Sequence, residues 1–214
     1  LGMEPVKVTV PEGLNVSEIS GILSKNLISF DVKTFEALAK EKEGYLFPDT
    51  YFLPPTAKPE DVMSRMQENF IEKIQSIQQD IELFGKSEKD VVTMASILEG
   101  EAKDTESRRI VAGILWKRMS IGMPLQVDAT FKYINGKNSF NLTYADLKIE
   151  SPYNTYVVKG LPPTPINNPG IDALLAAVTP IKTDYLYFLT GDDGKMYYAK
   201  TFEAHKINKV KYLK

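Results

Sequence analysis

Two carboxylates close an otherwise apolar run, Val91-Val-Thr-Met-Ala-Ser-Ile-Leu-Glu-Gly-Glu-Ala102; they are Glu99 and Glu101. Val91, Ala95, Leu98 and Ala102 keep the i, i+4, i+7, i+11 spacing of one buried helix stripe, widened by Met94 and Ile97 on one side and Val92 on the other. At ~100° per residue, Glu99 lies one turn beyond Ala95 and between the directions of Ala95 and Val92. Glu101 falls on the opposite flank, between Met94 and Ile97. A carboxyl in such surroundings loses hydration, which disfavours its charged form and raises its pKa. If it holds a proton near neutrality and can still release it, it suits acid catalysis at a glycosidic oxygen. The plainer alternative is a pair of solvated residues at the rim of a buried face. Periodicity decides neither between these readings nor between the two glutamates.

Other polar side chains gather further along. Met123-Pro-Leu-Gln-Val-Asp-Ala-Thr130 puts Gln126, Asp128 and Thr130 at alternate positions, on one side of an extended segment. Ser151-Pro-Tyr-Asn-Thr-Tyr156 adds Tyr153, Asn154 and Tyr156. Amides and carboxylates bind hydroxyl and acetamido groups in fixed geometry, and tyrosine faces cover the apolar side of a sugar ring. Ordinary bracing of a loop by side-chain-to-backbone bonds would use the same residues.

Much other chemistry is excluded. The one histidine, His205, cannot build a His-His metal site, and no Gly-x-Ser-x-Gly elbow offers it a serine. It reads as structural, or as a hydrogen-bond partner to the site. With no cysteine there is no disulfide framework and no thiolate zinc site. No glycine-rich phosphate loop is present, nor a Schiff-base lysine context for pyridoxal phosphate, so neither metal nor cofactor is expected. A net charge of −2 gives no basic field for nucleic acid, and the lysines from Lys206 to Lys214 read as a solvated helix face. No apolar run approaches the ~20 residues that cross a bilayer, and no signal-peptide pattern appears. Leu1-Gly2 reads as a cloning remnant, which leaves room for an anchor upstream.

The elements that must position these groups can be read in order. Val6 to Val10 alternates as a strand ending at Pro11, and Pro11-Glu-Gly13 is a turn. Asn15 caps a helix, with Glu18 completing a capping box. A second helix starts at Asp31 and carries Phe35, Leu38 and Ala39 inward. Thr50 to Leu53 is the returning strand, and Pro54-Pro-Thr56 is an exit linker. One long helix from Pro59 keeps an apolar stripe to Ile81 and stops at Gly85. Ser87 caps the central helix, and Asp104 or Thr105 caps the next, which ends near Gly122. Gly160 to Gly170 is a proline-braced loop ending in Asn168 as cap and Pro169 at the first position of an Ala- and Leu-rich helix. A hairpin follows, Tyr185 to Leu189 and Met196 to Ala199, turned at Gly191-Asp-Asp-Gly194. The last helix runs from Phe202 to about Tyr212. With 214 residues, 43% of them hydrophobic, the chain can bury one large core or two smaller ones, and the fold class is α+β.

Several stretches together resemble one family. They are Glu43-Gly-Tyr-Leu-Phe-Pro-Asp-Thr-Tyr51, Ala95-Ser-Ile-Leu-Glu-Gly-Glu101, Ile121-Gly-Met-Pro-Leu-Gln-Val-Asp-Ala-Thr130, Ser151-Pro-Tyr-Asn-Thr-Tyr156, Gly160-Leu-Pro-Pro-Thr-Pro-Ile166 and Asn168-Pro-Gly170. In order and spacing the chain resembles the endolytic murein transglycosylases, the YceG-like proteins of bacteria. That resemblance implies a small LysM-like α+β subdomain over residues 1–56, followed by a mainly helical catalytic domain over 57–214 with a C-terminal β-hairpin. It implies a single-pass N-terminal anchor absent from this chain, an extracytoplasmic catalytic domain on the cell membrane, and action near cell-wall synthases. The substrate would be peptidoglycan glycan strands, cut internally to leave 1,6-anhydro-N-acetylmuramic ends. The catalytic carboxylate of the family falls on Glu99, with Gln126, Asp128, Thr130, Tyr153, Asn154, Tyr156 and Glu101 as candidate substrate contacts. Two rivals follow from the same residues: a peptidoglycan-binding module that does not cut, and a hydrolytic muramidase with Glu101 or Asp128 as second carboxylate.

Overall fold

The computed structural model describes residues 4–213, Phe140 by its backbone alone; Leu1-Gly2 and Lys214 lie outside the described residues. Strand β1 (Val6–Thr9) is followed by helices α1 (Val16–Asn26) and α2 (Val32–Ala39), and β2 (Thr50–Leu53) returns antiparallel to β1 with Val8 opposite Tyr51 and Val6 opposite Leu53. The predicted capping box forms, Glu18 N donating to Asn15 Oδ1 at 2.9 Å and Asn15 N to Glu18 Oε2 at 3.0 Å. Val8, Ile19, Leu23, Phe35, Leu46 and Leu53 close a first apolar core. Leu38, expected inside, is exposed at the edge of the short α2 face.

The predicted long helix is two. α3 (Pro59–Ser76) ends at Ile77, whose backbone (φ −117°, ψ 12°) leaves the helical region, and α4 (Gln78–Phe84) resumes and stops at the left-handed Gly85. Ile74, Ile77 and Ile81, on either side of the corner, all enter the second core. α3 is shared between the cores: Val62 and Met66 pack with the first, Phe70 and Ile74 with the second. We propose units of 1–56 and 57–214 with α3 as the element that ties them.

The second core surrounds α5 (Glu88–Glu101), capped by Ser87, with α6 (Thr105–Ser120), capped by Asp104, and α7 (Ala129–Asn135) and α8 (Ile171–Val178) packed on it. Every residue from Val91 to Leu98 is buried, so α5 is enclosed on all sides and not only along the stripe its apolar spacing predicts. Thr93 and Ser96 enter that interior because their hydroxyls are satisfied locally, by Lys89 O at 2.7 Å and Thr93 O at 2.8 Å. Ser96 also accepts from Ile166 N at 3.1 Å, and its carbonyl accepts from Asn167 Nδ2 at 2.8 Å, which fastens the proline-rich loop to α5. The hairpin of β3 (Tyr187–Thr190) and β4 (Met196–Ala199) and the last helix, α9 (Phe202–Tyr212), complete the chain. No described helix is long and apolar enough to cross a membrane.

The two cores meet along one seam. Asn168, read from the sequence as a helix cap, does not cap α8, whose N-cap is Gly170 without a side-chain bond. Its buried amide instead reaches the N-terminal part: Oδ1 accepts from Gly44 N and Leu46 N, both at 2.9 Å, and Nδ2 donates to Leu14 O at 3.0 Å and Glu43 Oε1 at 2.9 Å. Gly44 sits at φ +89° with Pro165 so close that an added Cβ would meet it at 2.4 Å. Gly44→Ala combines a left-handed backbone with a clash across the seam, so it should cost about 2 kcal/mol or more of stability, read as a lowered denaturation midpoint.

Candidate active site

Glu99 lies where this seam crosses the C-terminal end of α5. Its side chain is 6% exposed and doubly held: Arg108 Nη2, from α6, donates to Oε1 at 2.6 Å, and Gly170 N donates to Oε2 at 3.0 Å. Arg108 is itself fixed, donating through Nε to Ala102 O at 3.1 Å and through Nη1 to Asp172 Oδ2 at 2.5 Å. Asp172 Oδ1 in turn accepts from Thr105 Oγ1 at 2.8 Å. The β1–α1 turn lies against this group from the other core: a Cβ on Gly13 would stand 3.3 Å from Glu99 Cγ.

The electrostatics pull two ways. Burial raises the Glu99 pKa above its ordinary value; the Gly170 N–H and the Arg108 guanidinium oppose the rise, and the charges of Glu12 and Asp172 add to it. Burial wins, yet a guanidinium 2.6 Å away keeps the anion affordable once the proton has gone.

Glu101 occupies a different setting on another flank of α5. Its Oε1 accepts from Ala129 N at 3.0 Å, and burial pushes its pKa up to about 7, with the Asp128 charge adding and Arg118 opposing. Asp128 and Tyr156, from the 123–130 and 151–156 segments, lie within reach of its charge. Tyr156 OH donates to Asp128 Oδ1 at 2.6 Å, and burial raises the phenol pKa. Gln126 is exposed and held at φ +51°, a left-handed backbone that a glutamine rarely adopts, with its N–H on Thr155 O at 3.0 Å.

The expectation of Gln126, Asp128 and Thr130 on one side of an extended segment is corrected at Ala129, where α7 begins. Leu125 and Val127 point inward and Gln126 outward as alternation requires, but Thr130 is in the helix, fully buried, with its hydroxyl on Val127 O at 3.0 Å. Asn154 is also fully buried, its Nδ2 donating to Leu147 O and Ile149 O at 3.1 and 2.9 Å and its Oδ1 accepting from Tyr156 N at 3.0 Å. Both therefore brace loops and offer no surface to a sugar. Tyr153 is partly buried, its OH 2.8 Å from Thr164 Oγ1 and its ring 4.9 Å from that of Tyr133. His205 stacks on Tyr187, 5.4 Å between ring centres, in the α9–hairpin packing and away from the Glu99 group.

Arg108, Gly170, Asp172 and Glu12 carry no sequence signal that links them to Glu99, because they come from three other segments that only the fold assembles. Glu99 lines neither of two clefts in the fold. One of ≈ 850 Å³ runs by Trp116, Lys117 and Lys182 along the C-terminal half of α6, and holds none of the residues singled out above. Another, of ≈ 370 Å³, opens at the seam beside Asn15, Glu36, Glu43 and Tyr133. There Glu43, buried and paired with Asn168, has its pKa pushed up to about 7 by burial.

Comparison with known proteins gives the family. A family model described as the YceG-like family matches residues 1–211. The chain is 40% identical over 172 residues to an endolytic murein transglycosylase of Bacillus subtilis (strain 168), covering 80% of this chain and 48% of that protein. It is 33% identical over 177 residues to an endolytic murein transglycosylase of Streptococcus pneumoniae serotype 2 (strain D39), covering 80% of this chain and 32% of that one. The chain thus spans about half the length of the first of these curated relatives and about a third of the second. The crystal structure of a YceG-like protein from Listeria monocytogenes superposes with a TM-score of 0.82 at 31% identity, over 96% of this chain and 76% of that one. On the match along nearly its whole length and the shared fold, this chain belongs to the YceG-like family.

Proposed function

We propose that this chain is the cutting portion of an endolytic peptidoglycan lytic transglycosylase, with Glu99 as general acid and then general base. The observation that carries the reading is the setting of Glu99: a nearly dry carboxyl, favoured in its protonated form by burial, with an arginine and a backbone N–H waiting for the anion. The names of the relatives supply the substrate class.

The chemistry balances with one carboxyl. Glu99 gives its proton to the oxygen joining C1 of N-acetylmuramic acid to O4 of N-acetylglucosamine. The C1–O bond breaks and the glucosamine leaves as the alcohol. The muramic C6 hydroxyl then closes on C1, forming the C1–O6 bond, and its proton returns to Glu99. No water is consumed, and holding the nucleophile on the same ring supplies proximity. Arg108, already on Glu99 Oε1 without substrate, holds the carboxylate between the two proton transfers, and the charge-assisted bond strengthens when the proton has gone. Gln126, Asp128 and Tyr156 are our candidate sugar contacts, with Tyr153 beside them and Glu101 positioning Ala129. Thr130 and Asn154 shape the loops that present them.

This reading sets the protein beside glycan strands at the outer face of the cell membrane, within reach of cell-wall synthases. Digestion of purified sacculi tests it. Soluble fragments ending in 1,6-anhydro rings are expected. Fragments one water heavier would mean hydrolysis through a second carboxylate, and no fragments would leave a module that only binds.

A further inference from the structure

The turn between β1 and α1 places a second carboxylate in the Glu99 group. A Cβ on Gly170 would stand 1.8 Å from Glu12 Oε1 and 2.1 Å from its Cδ, so the Glu12 carboxyl rests directly on the Gly170 α-carbon. The N–H of that same residue holds Glu99 Oε2. Gly13, next in the chain, packs on the Glu99 side chain, and its N–H donates to Asn168 O at 2.9 Å, which pins the turn to the loop before α8. Glu12 itself is exposed and contributes to neither apolar core. The sequence shows it only as the middle of a Pro-Glu-Gly turn.

We propose that Glu12 is a positioning residue of the Glu99 site, so that the N-terminal unit completes the reaction centre and does not merely hold substrate beside it. The inference rests on Glu99 being the proton donor. Charged groups face Glu99 from three elements: Arg108 from α6, Asp172 from α8 and Glu12 from the β1–α1 turn, while Glu101, on α5 itself, turns towards α7. Arg108 divides its charge between Glu99 and Asp172. Glu12 adds a further negative charge, felt by both Arg108 and Glu99, and at Glu99 it favours the proton. Gly170 is the residue that permits the approach, since any side chain there would occupy the place of the Glu12 carboxyl.

The sign of the effect follows. Glu99 donates only while protonated, so activity falls as pH rises through its titration. Removing the Glu12 charge lowers that titration and brings the alkaline limb of the pH–rate profile to lower pH.

The test uses the full chain in four forms: wild type, Glu12→Gln, Glu12→Asp and Gly170→Ala. Two readings are taken on each, the pH profile of fragment release from sacculi and the carboxyl ¹³C titration of Glu99, assigned by its loss in Glu99→Gln. Glu12→Gln should move both to lower pH, and Glu12→Asp should keep both near wild type. Gly170→Ala keeps every charge and has a backbone (φ −80°, ψ 174°) open to alanine, yet its methyl displaces the flexible Glu12 arm; it should reproduce the Glu12→Gln shift. A Glu12→Gln protein whose Glu99 titrates as in wild type would overturn the proposal, whatever its rate. A shifted titration in a protein that releases no fragments at any pH would keep Glu12 in the group and overturn the transglycosylase reading instead.

Discussion

Replacing Glu99 with glutamine is expected to cut the rate of glycan cleavage by about 10²–10⁴-fold, the contribution of a general acid, or about 3–5 kcal/mol at the transition state. Sacculus binding should change by no more than a few-fold, because the lost proton transfer is made only as the bond breaks. The substitution is close to isosteric, and Asp172 still faces Arg108. One local cost remains. Glu99 presents an oxygen to each of two donors, Arg108 Nη2 and Gly170 N, whereas glutamine presents one oxygen and one NH₂ group. Stability should therefore fall by about 1–2 kcal/mol, far too little to unfold the chain. Comparing fragment release with sacculus pull-down separates the two effects. A Glu99→Gln protein that cuts at the wild-type rate would remove Glu99 from the chemistry.

The second large effect is on stability and concerns the seam. Asn168→Ala should destabilise the chain by about 3–5 kcal/mol, since it strands the buried N–H groups of Gly44 and Leu46 and leaves Glu43 Oε1 without its donor. At pH well above 7, where Glu43 is ionised, Asn168→Asp restores acceptors for the two N–H groups but turns its other oxygen towards Glu43 and Leu14 O, which are then both acceptors. It should rescue little. Denaturant unfolding of the three proteins measures this; an Asp variant near wild-type stability would contradict the donor role. Because Gly13 N also hangs on Asn168 O, loosening the seam should lower cleavage activity before the chain unfolds.

Those two residues mark what the sequence could and could not reveal. Regular elements are legible wherever local chemistry decides them: the Asn15–Glu18 capping box, the helix starts at Ser87 and Asp104 and the span of α9 form as read, and the hairpin forms with its first strand at Tyr187–Thr190 instead of Tyr185 to Leu189. Errors came where tertiary packing overrules a local preference. The helix breaks at Ile77 although its apolar spacing continues through it and Ile77 itself is in the core. Thr130 fits an alternating pattern that ends one residue earlier, where α7 begins. Asn168-Pro169 has every mark of a helix start, yet its amide has a stronger use across the seam. The placement of Glu99 at the edge of an apolar face was readable from its spacing. Its pairing with Arg108, Gly170 and Glu12 was not, since periodicity speaks only within one element.

The whole account depends on Glu99 keeping its proton to higher pH than an ordinary carboxyl. Titrating its side-chain carboxyl by ¹³C NMR in the wild-type chain, with the resonance assigned by its absence in Glu99→Gln, reads this without any substrate. The burial described here predicts a midpoint above 4.5, the value of an unperturbed glutamate. A midpoint at or below that value would mean that Arg108 and Gly170 hold Glu99 as a permanent carboxylate, and an acid step from Glu99 would have no proton to give.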